Sequence, residues 1–446
     1  MRWLVGVCLL LSLTARAEGP TILTLEEALA YGKQNSSSMR ISLAKTDAAT
    51  AKASESRALL LPTVKLDGGY RRLSEIDPFR VQLPVSPSPV TISPVVLDNF
   101  TLRAAVQQPI FTGFRLMSNA HAADRLAEAS RYDHRNAEAD LALNITTAYW
   151  RLYQASQQKV FVDENVARLE TDARDAENLM RAGLATRSDV LRVQVQLSNA
   201  RLARVDAAHE VELSMMNLNA LIGLPLDTDV APGSTPDSAG ALRPESGVAP
   251  PEGLQKWEER ALSSRPDVLA MQSRMTASEE AVRTAQGSWW PQVYLAGNYY
   301  YSRPNSRIMP TRDEFKGTWD IGIQVQLDIW NWGTTLFQTE QAEAGLAQAR
   351  ALLAQTKDNA SLEVRSALLL ISRSRERIDV AQLAVNQSEE NARETKEKYR
   401  AGMATTADLL DADVGLLQSR TTYTSSLVEY ELAKARLTRA LGISPE

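Results

Sequence analysis

The sequence predicts an α+β membrane protein built twice from one unit, each copy holding two membrane-type β-strands and one very long antiparallel helical hairpin. Three observations lead there: a motif that recurs at a fixed offset, apolar seams with heptad spacing, and four segments that alternate residue by residue. Arg181 to Leu191, RAGLATRSDVL, returns 219 residues later as Arg400 to Leu410, RAGMATTADLL, with seven of eleven positions identical. The same offset pairs Leu141, Ile145 and Ala148 with Ala360, Val364 and Ala367, and Gly223 with Gly442. Copies of roughly two hundred residues are too long for a solenoid, whose repeats run to a few tens. The chain therefore reads as an internal two-fold repeat.

From Leu141 the apolar and small positions fall at 145, 148, 152, 155, 162, 166, 169, 173, 176 and 180, mostly in steps of four and three, with Lys159 as a polar interruption. That is a heptad seam. The second copy repeats it at Ala360, Val364, Ala367, Ile371, Ile378, Ala381, Val385, Ala392 and Tyr399. No proline interrupts Gly113 to Gly183, so one helix of about 70 residues, roughly 100 Å long, is expected there.

Both long helices stop alike, with Arg181-Ala-Gly183-Leu184 and Arg400-Ala-Gly402-Met403: a cation in the last turn, a glycine for a left-handed cap and an apolar residue after it. Thr186 and Thr405 are N-cap candidates, with Asp189 and Asp408 in the acidic place of a capping box. Seams resume at Val190, Val193, Leu197, Ala200, Ala207, Val211 and Leu218, and at Leu409, Ala412, Leu416, Tyr423, Tyr430 and Leu437.

Ahead of each hairpin the period changes to two. Val64, Leu66, Gly68 and Tyr70 alternate with Lys65, Asp67, Gly69 and Arg71, and Phe100, Leu102, Ala104 and Val106 with Thr101, Arg103, Ala105 and Gln107. Copy two gives Val293 to Tyr301, then Trp319, Ile321, Ile323, Val325, Leu327 and Ile329 against Asp320, Gly322, Gln324, Gln326 and Asp328. Strands of about ten residues with one apolar and one polar face are the membrane-barrel signature, although a soluble sheet packed on one face shares the pattern. Trp289, Trp290, Tyr299, Tyr300, Tyr301, Trp319, Trp330 and Trp332 crowd the strand ends as interface girdles do. The connections Asp77 to Pro94 and Ser302 to Lys316 read as exposed loops, and helical segments are expected at about 24–59 and 254–287.

The expected division is a signal peptide at 1–17, a first repeat at 18–222, a Pro/Gly-rich linker at 223–253 and a second repeat at 254–446. Arg2, the apolar run Trp3 to Leu13 and Ala15-Arg-Ala17 carry the signal reading. The lone cysteine, Cys8, lies within it, so no disulfide, lipid anchor or thiol chemistry is expected. A formal charge of −5 supplies no basic footprint for nucleic acid. His121, His134 and His209 have no close metal spacing, and no phosphate loop or nucleophile motif occurs, so neither an enzyme nor a metal or cofactor site is expected.

Strands cross lipid only as a closed barrel, because every backbone group must be paired there. Four strands are too few to close around a lumen, since about eight is the lower limit. The chain must oligomerise, and two, three or four copies would each give a barrel. The remaining alternative is an exported coiled-coil spacer without a pore, which the heptads allow and the four alternating strands do not.

With its strand-strand-hairpin order given twice, Asn35-Ser-Ser-Ser-Met39 echoed by Arg265-Pro-Asp-Val268, and its R-x-G tips, the chain resembles the TolC family of outer-membrane efflux proteins. The resemblance covers essentially all of the chain after the signal. It implies a homotrimer, a 12-stranded barrel in outer-membrane lipid with four strands per chain, and a long antiparallel helical barrel extending into the periplasm. It implies passive exit for substrates delivered by an inner-membrane transporter (RND, ABC or MFS type) and a periplasmic adaptor.

The same resemblance assigns the site residues. Asp408 and Asp411 match aspartates that ring the periplasmic entrance, where crowding is expected to raise their pKa values and favour cations; capping is the competing role for Asp408. Tyr399 and Asp189 match positions that tie neighbouring hairpins into a closed gate. The gating arginine of some members is replaced by Ala404, with Arg187 as the nearby substitute. Arg181, Gly183, Leu184, Arg400, Gly402 and Met403 form the tips where the adaptor docks; local cap contacts are the competing role for Leu184 and Met403.

Overall fold

A computed structural model describes residues 21–82, 84, 88–236 and 253–443. The expected signal, Cys8 and positions 237–252 of the expected linker lie outside them. In chain order the elements are β1 (Thr21–Leu23), α1 (Leu25–Asn35), α2 (Ser37–Ala58), β2 (Thr63–Arg72), β3 (Phe79–Val81), β4 (Val90–Ser93), β5 (Asp98–Phe111), α3 (Arg115–Arg181), α4 (Arg187–Ile222), β6 (Val230–Pro232), α5 (Leu254–Ser264), α6 (Pro266–Gln286), β7 (Gln292–Arg303), β8 (Lys316–Gln326), α7 (Thr334–Arg400) and α8 (Thr406–Ala440). Two compact units partition the chain: Ala44–Asp133 with Asp267–Thr356, and the remainder.

The first unit carries an antiparallel sheet in the order β2-β5-β7-β8. All four expected strands are present and register with like faces together: Val64 opposes Val106, Leu66 opposes Ala104, Ala104 opposes Tyr299, Leu295 opposes Ile323 and Tyr299 opposes Trp319. Val64, Leu66, Leu102, Leu295, Trp319, Ile321, Ile323 and Val325 are all exposed, so among the described residues nothing covers the apolar face.

Three sequence expectations change. The last strand ends at Gln326 and not at Ile329, because its partner starts at Gln292, directly after Pro291, which has no N–H to extend the ladder. The expected loop from Asp77 to Pro94 contains the short β3–β4 ribbon, Phe79 opposite Ser93 and Val81 opposite Val90. Tyr300 leaves the aromatic girdle: alternation places it on the polar face, between Tyr299 and Tyr301, where the Arg103 and Arg307 guanidiniums each lie 5.6 Å from its ring centre.

The second unit holds the helical core. Ile145, Tyr149 and Leu152 of α3 pack with Leu218 and Ile222 of α4 and with Ala28 of α1. Val364, Ile371 and Ile378 of α7 pack with Tyr430 and Leu437 of α8 and Ala261 of α5. Each fully buried leucine or isoleucine there contributes about 1.5–3 kcal/mol. The seam positions read from the sequence are buried or half-buried, those nearer the tips in a third cluster with Val166, Leu169, Ala176, Val190 and Val193; Met180, in the last turn of α3, is exposed.

Each helical segment expected ahead of the strands is broken once, at Ser36 (ψ 135°) and at Arg265 (ψ 125°). Pro266 forces Arg265 out of the helical region; Ser36 does the same work by turning its hydroxyl toward the Ser38 N–H, 3.3 Å away. The hairpins return to these breaks. A Cβ on Gly223 would lie 2.8 Å from the Asn35 carbonyl oxygen, and one on Gly442 2.8 Å from Arg265 Cα. The connection after α4 is also more ordered than a linker: β6 pairs in parallel with β1, and Tyr149 Oη donates to Leu23 O at 2.9 Å while accepting from Ser234 N at 2.7 Å.

Candidate functional site

The hairpin tips are built by local sequence. Gly183 and Gly402 adopt φ of +76° and +71°, a conformation that costs other L-residues about 1–2 kcal/mol. Gly183 N donates to Met180 O at 3.0 Å and Leu184 N to Leu179 O at 2.8 Å; Gly402 N to Tyr399 O and Met403 N to Lys398 O repeat both distances. These are the paired bonds of a Schellman cap. The apolar residues that follow stay in solvent, Leu184 at 73% and Met403 at 75% exposure, so cap contacts do not use them up.

Both capping boxes form. Asp189 Oδ2 accepts from Thr186 N at 2.9 Å and Thr186 Oγ1 at 2.6 Å, and Asp408 Oδ2 accepts from Thr405 at the same two distances. The Thr405 hydroxyl, then its N–H, hold Asp408 below the ordinary carboxylate range. Within one chain the shift thus has the opposite sign to that expected of a crowded ring, because the cap stabilises the charged form. Thr186 lowers Asp189 likewise, with a further contribution from Thr406 across the two tips. Asp411 is exposed and lines an open groove of about 480 Å³ with Leu191, Arg192 and Val195 of α4.

Tyr399 and Asp189 are not brought together as hydrogen-bond partners. Tyr399 is buried and its hydroxyl has no partner among the described residues, while Asp189 is taken up by its cap. Arg400 Nε reaches Asp175 Oδ2 of α3 at 3.2 Å and so joins the hairpins, whereas Arg181 stays on its own helix, 3.8 Å from Glu177. Arg187 and Asp411 are exposed and Ala404 is half-buried.

Sequence reasoning missed a polar layer just above the tips, where Asp172 and Arg168 of α3, Lys396 of α7 and Asp413 of α8 meet. The only trace in the sequence is an acid beside a seam position, Asp172 before Ala173 and Asp413 after Ala412. It also missed the row across the sheet's polar face: Arg103 Nη2 donates to Asn298 Oδ1 at 2.7 Å, Asn298 Nδ2 to Asp320 Oδ1 at 2.8 Å, and Arg307 Nη2 to Asp320 Oδ2 at 2.8 Å.

The family model described as Outer membrane efflux protein matches residues 31–224 and 257–443. The chain belongs to this family. It is an outer-membrane efflux channel reaching into the periplasm, and a spacer without a pore is set aside; the family and the structural neighbours are channel proteins and not enzymes. The outer membrane efflux protein BepC of Brucella suis biovar 1 is 25% identical over 77% of this chain and 72% of its own length. The alkaline protease secretion protein AprF of Pseudomonas aeruginosa is 22% identical over 78% and 71%. The solved structure of the outer-membrane channel OprN shares the fold with a TM-score of 0.78 at 20% identity, covering 94% of this chain and 89% of that one.

Proposed function

We propose that three copies of the chain close their sheets into one 12-stranded barrel and their hairpins into a helical wall, giving substrates a passive route outward from an inner-membrane transporter and a periplasmic adaptor. One observation carries the reading: β2 and β8 are both sheet edges, and the face between them is apolar and exposed. Edges and lipid-facing side chains of this kind are satisfied only by further copies in a bilayer. From Gln292 to Tyr301 the strand β7 runs about 30 Å, which a tilt of about 40° reduces to roughly 23 Å, close to the apolar band of such barrels. Exposed apolar residues also recur on α4 (Leu191, Val195, Leu202, Val205, Leu213) and on α7 (Leu362, Leu369, Val380, Leu383), as contact faces for neighbouring copies.

In this assembly Asp408 and Asp411 ring the periplasmic mouth, with Tyr399 and Asp189 in the gate. Arg181, Gly183, Leu184, Arg400, Gly402 and Met403 present the tips to the adaptor. Residues 1–17 act as the export signal, and 18–222 and 254–446 are the two repeats joined by 223–253. AprF is named for protease secretion and BepC for efflux; the proposed barrel and its tips serve either cargo. The test is assembly and conductance together: detergent-purified protein should run as heat-modifiable, trypsin-resistant trimers and give small, cation-favouring currents in planar bilayers that lose selectivity in Asp411→Asn. A monomer soluble without detergent would overturn the proposal.

A further inference from the structure

About three turns above each tip glycine, two carboxyls meet inside the helical unit. The side chains of Asp172 on α3 and Asp413 on α8 are 2% and 9% exposed. Lys396 Nζ of α7 donates to Asp172 Oδ1 at 2.9 Å. Arg168 Nε stands 3.6 Å from Asp413 Oδ1, too far for a hydrogen bond, and its guanidinium is also 3.8 Å from Glu164. Asp172 Oδ2 and Asp413 Oδ2 are left buried without a partner, as are Arg168 Nε, Asn165 Oδ1 and Tyr399 Oη in the same region. The α4 side of this layer is apolar, with Val190 and Val193 against Leu169, Ala176 and Leu410. The α4 charges Arg192, Arg201 and Arg204 are exposed, Arg201 resting on Glu170.

An ionised carboxylate can only accept hydrogen bonds. Two buried carboxylates in contact therefore repel, and neither supplies the donor that the other lacks. Lys396 is committed to the other oxygen of Asp172, and Arg168 falls short of Asp413. A single proton removes both defects, because it turns one carboxyl into a donor toward the other.

We propose that Asp172 and Asp413 form a proton-binding site, in which one proton held between their orphaned oxygens fastens α8 to α3 above the tips and whose loss loosens that seam. Burial first, then the Asp172 carboxylate, push Asp413 up to about 6 from 3.8, against the downward pull of Arg168 and Lys396. A group whose pKa rises on folding stabilises the fold fully below its unfolded value and loses that contribution as pH climbs through the folded one. The seam is therefore tightest in acid and slackens above pH 6. The inference concerns the seam alone and stands whether or not the chain conducts.

Hydrogen exchange of the full-length protein in detergent, corrected for intrinsic rates, reads the seam directly. Protection of amides 409–416 should fall about tenfold between pH 5 and pH 7.5, the factor that pKa values of 3.8 and about 6 give. Asp413→Asn keeps its amide donor at every pH and should hold protection at both; Asp411→Asn, about half a turn nearer the tip and on an exposed position, should keep the tenfold change. The infrared band of a protonated carboxyl should titrate near pH 6 in the unaltered protein, a readout that needs no variant to fold; it should vanish in Asp413→Asn and move to lower pH in Asp172→Asn, where burial alone still raises Asp413. Flat protection in the unaltered protein, a tenfold change surviving in Asp413→Asn, or no carboxyl band titrating near pH 6 would each overturn the site.

Discussion

Tyr299 of β7 and Trp319 of β8 stand directly opposite one another on the bare apolar face of the sheet. Two rows lower, Leu295 opposes Ile323, and the next residue along β8, Gln324, points to the polar face opposite Tyr294. In a bilayer these faces see different solvents. An arginine on the lipid face costs about 2–4 kcal/mol at the midplane, whereas the lumen side tolerates one. Ile323→Arg should sharply reduce heat-modifiable trimers in the outer-membrane fraction, and Gln324→Arg should leave them near the normal level. Equal recovery of both would mean that this face does not meet lipid.

The glycines separate conformational from steric demand. A Cβ on Gly183 or Gly402 meets nothing within 4 Å, so valine there suffers only from the positive φ. Gly183→Val with Gly402→Val should leave trimers assembled, distort both tips and abolish efflux. Gly442→Ala adds a collision with the Arg265 backbone, 2.8 Å away, to its own φ of +67°. It should lower the midpoint of thermal unfolding more than Gly402→Ala does; the reverse order would contradict the packing at that break.

The seams were legible because a heptad needs only one helix and one partner, and Val193, Leu218 and Ile378 are buried as the spacing requires. The strands were legible as alternation but their ends were not, since Gln326 stops where Pro291 removes the opposite donor. Pro266 announces the break at Arg265, while Ser36 gives no comparable signal. Tyr300 was misread by counting aromatics without their parity. The meeting of Asp172 with Asp413 was out of reach, because the stagger of one hairpin against the other is set by three-dimensional packing. The tip caps lay in plain view, each being complete within six residues.

Arg307 ties the β7–β8 connection to the polar face. Its Nη1 donates to Trp319 O at 2.9 Å, its Nη2 to Asp320, and its guanidinium shares the Tyr300 ring with that of Arg103. Arg307→Ala removes two charge-assisted bonds and one cation–π contact while the β7–β8 ladder keeps its backbone pairing. Trypsin cleavage at Arg312 should accelerate several-fold with trimer yield unchanged. An unchanged rate would show that the connection is held by other groups.

Acid acts on the tip cap and on the seam above it in opposite directions. Asp408 is held below its ordinary value by the Thr405 hydroxyl and N–H, so its contribution is present above the unfolded pKa and is lost as pH falls through the depressed one. Asp413 runs the other way, gaining as pH falls past 6. Thr405→Ala deletes the hydroxyl, the larger cause, and leaves the backbone donor. It should lower amide protection in the first turn of α8 at pH 6 and flatten the fall between pH 6 and pH 3, leaving the 409–416 response above pH 5 intact. If the acid-side fall keeps its full slope in Thr405→Ala, the charge that matters to the first turn is not that of Asp408.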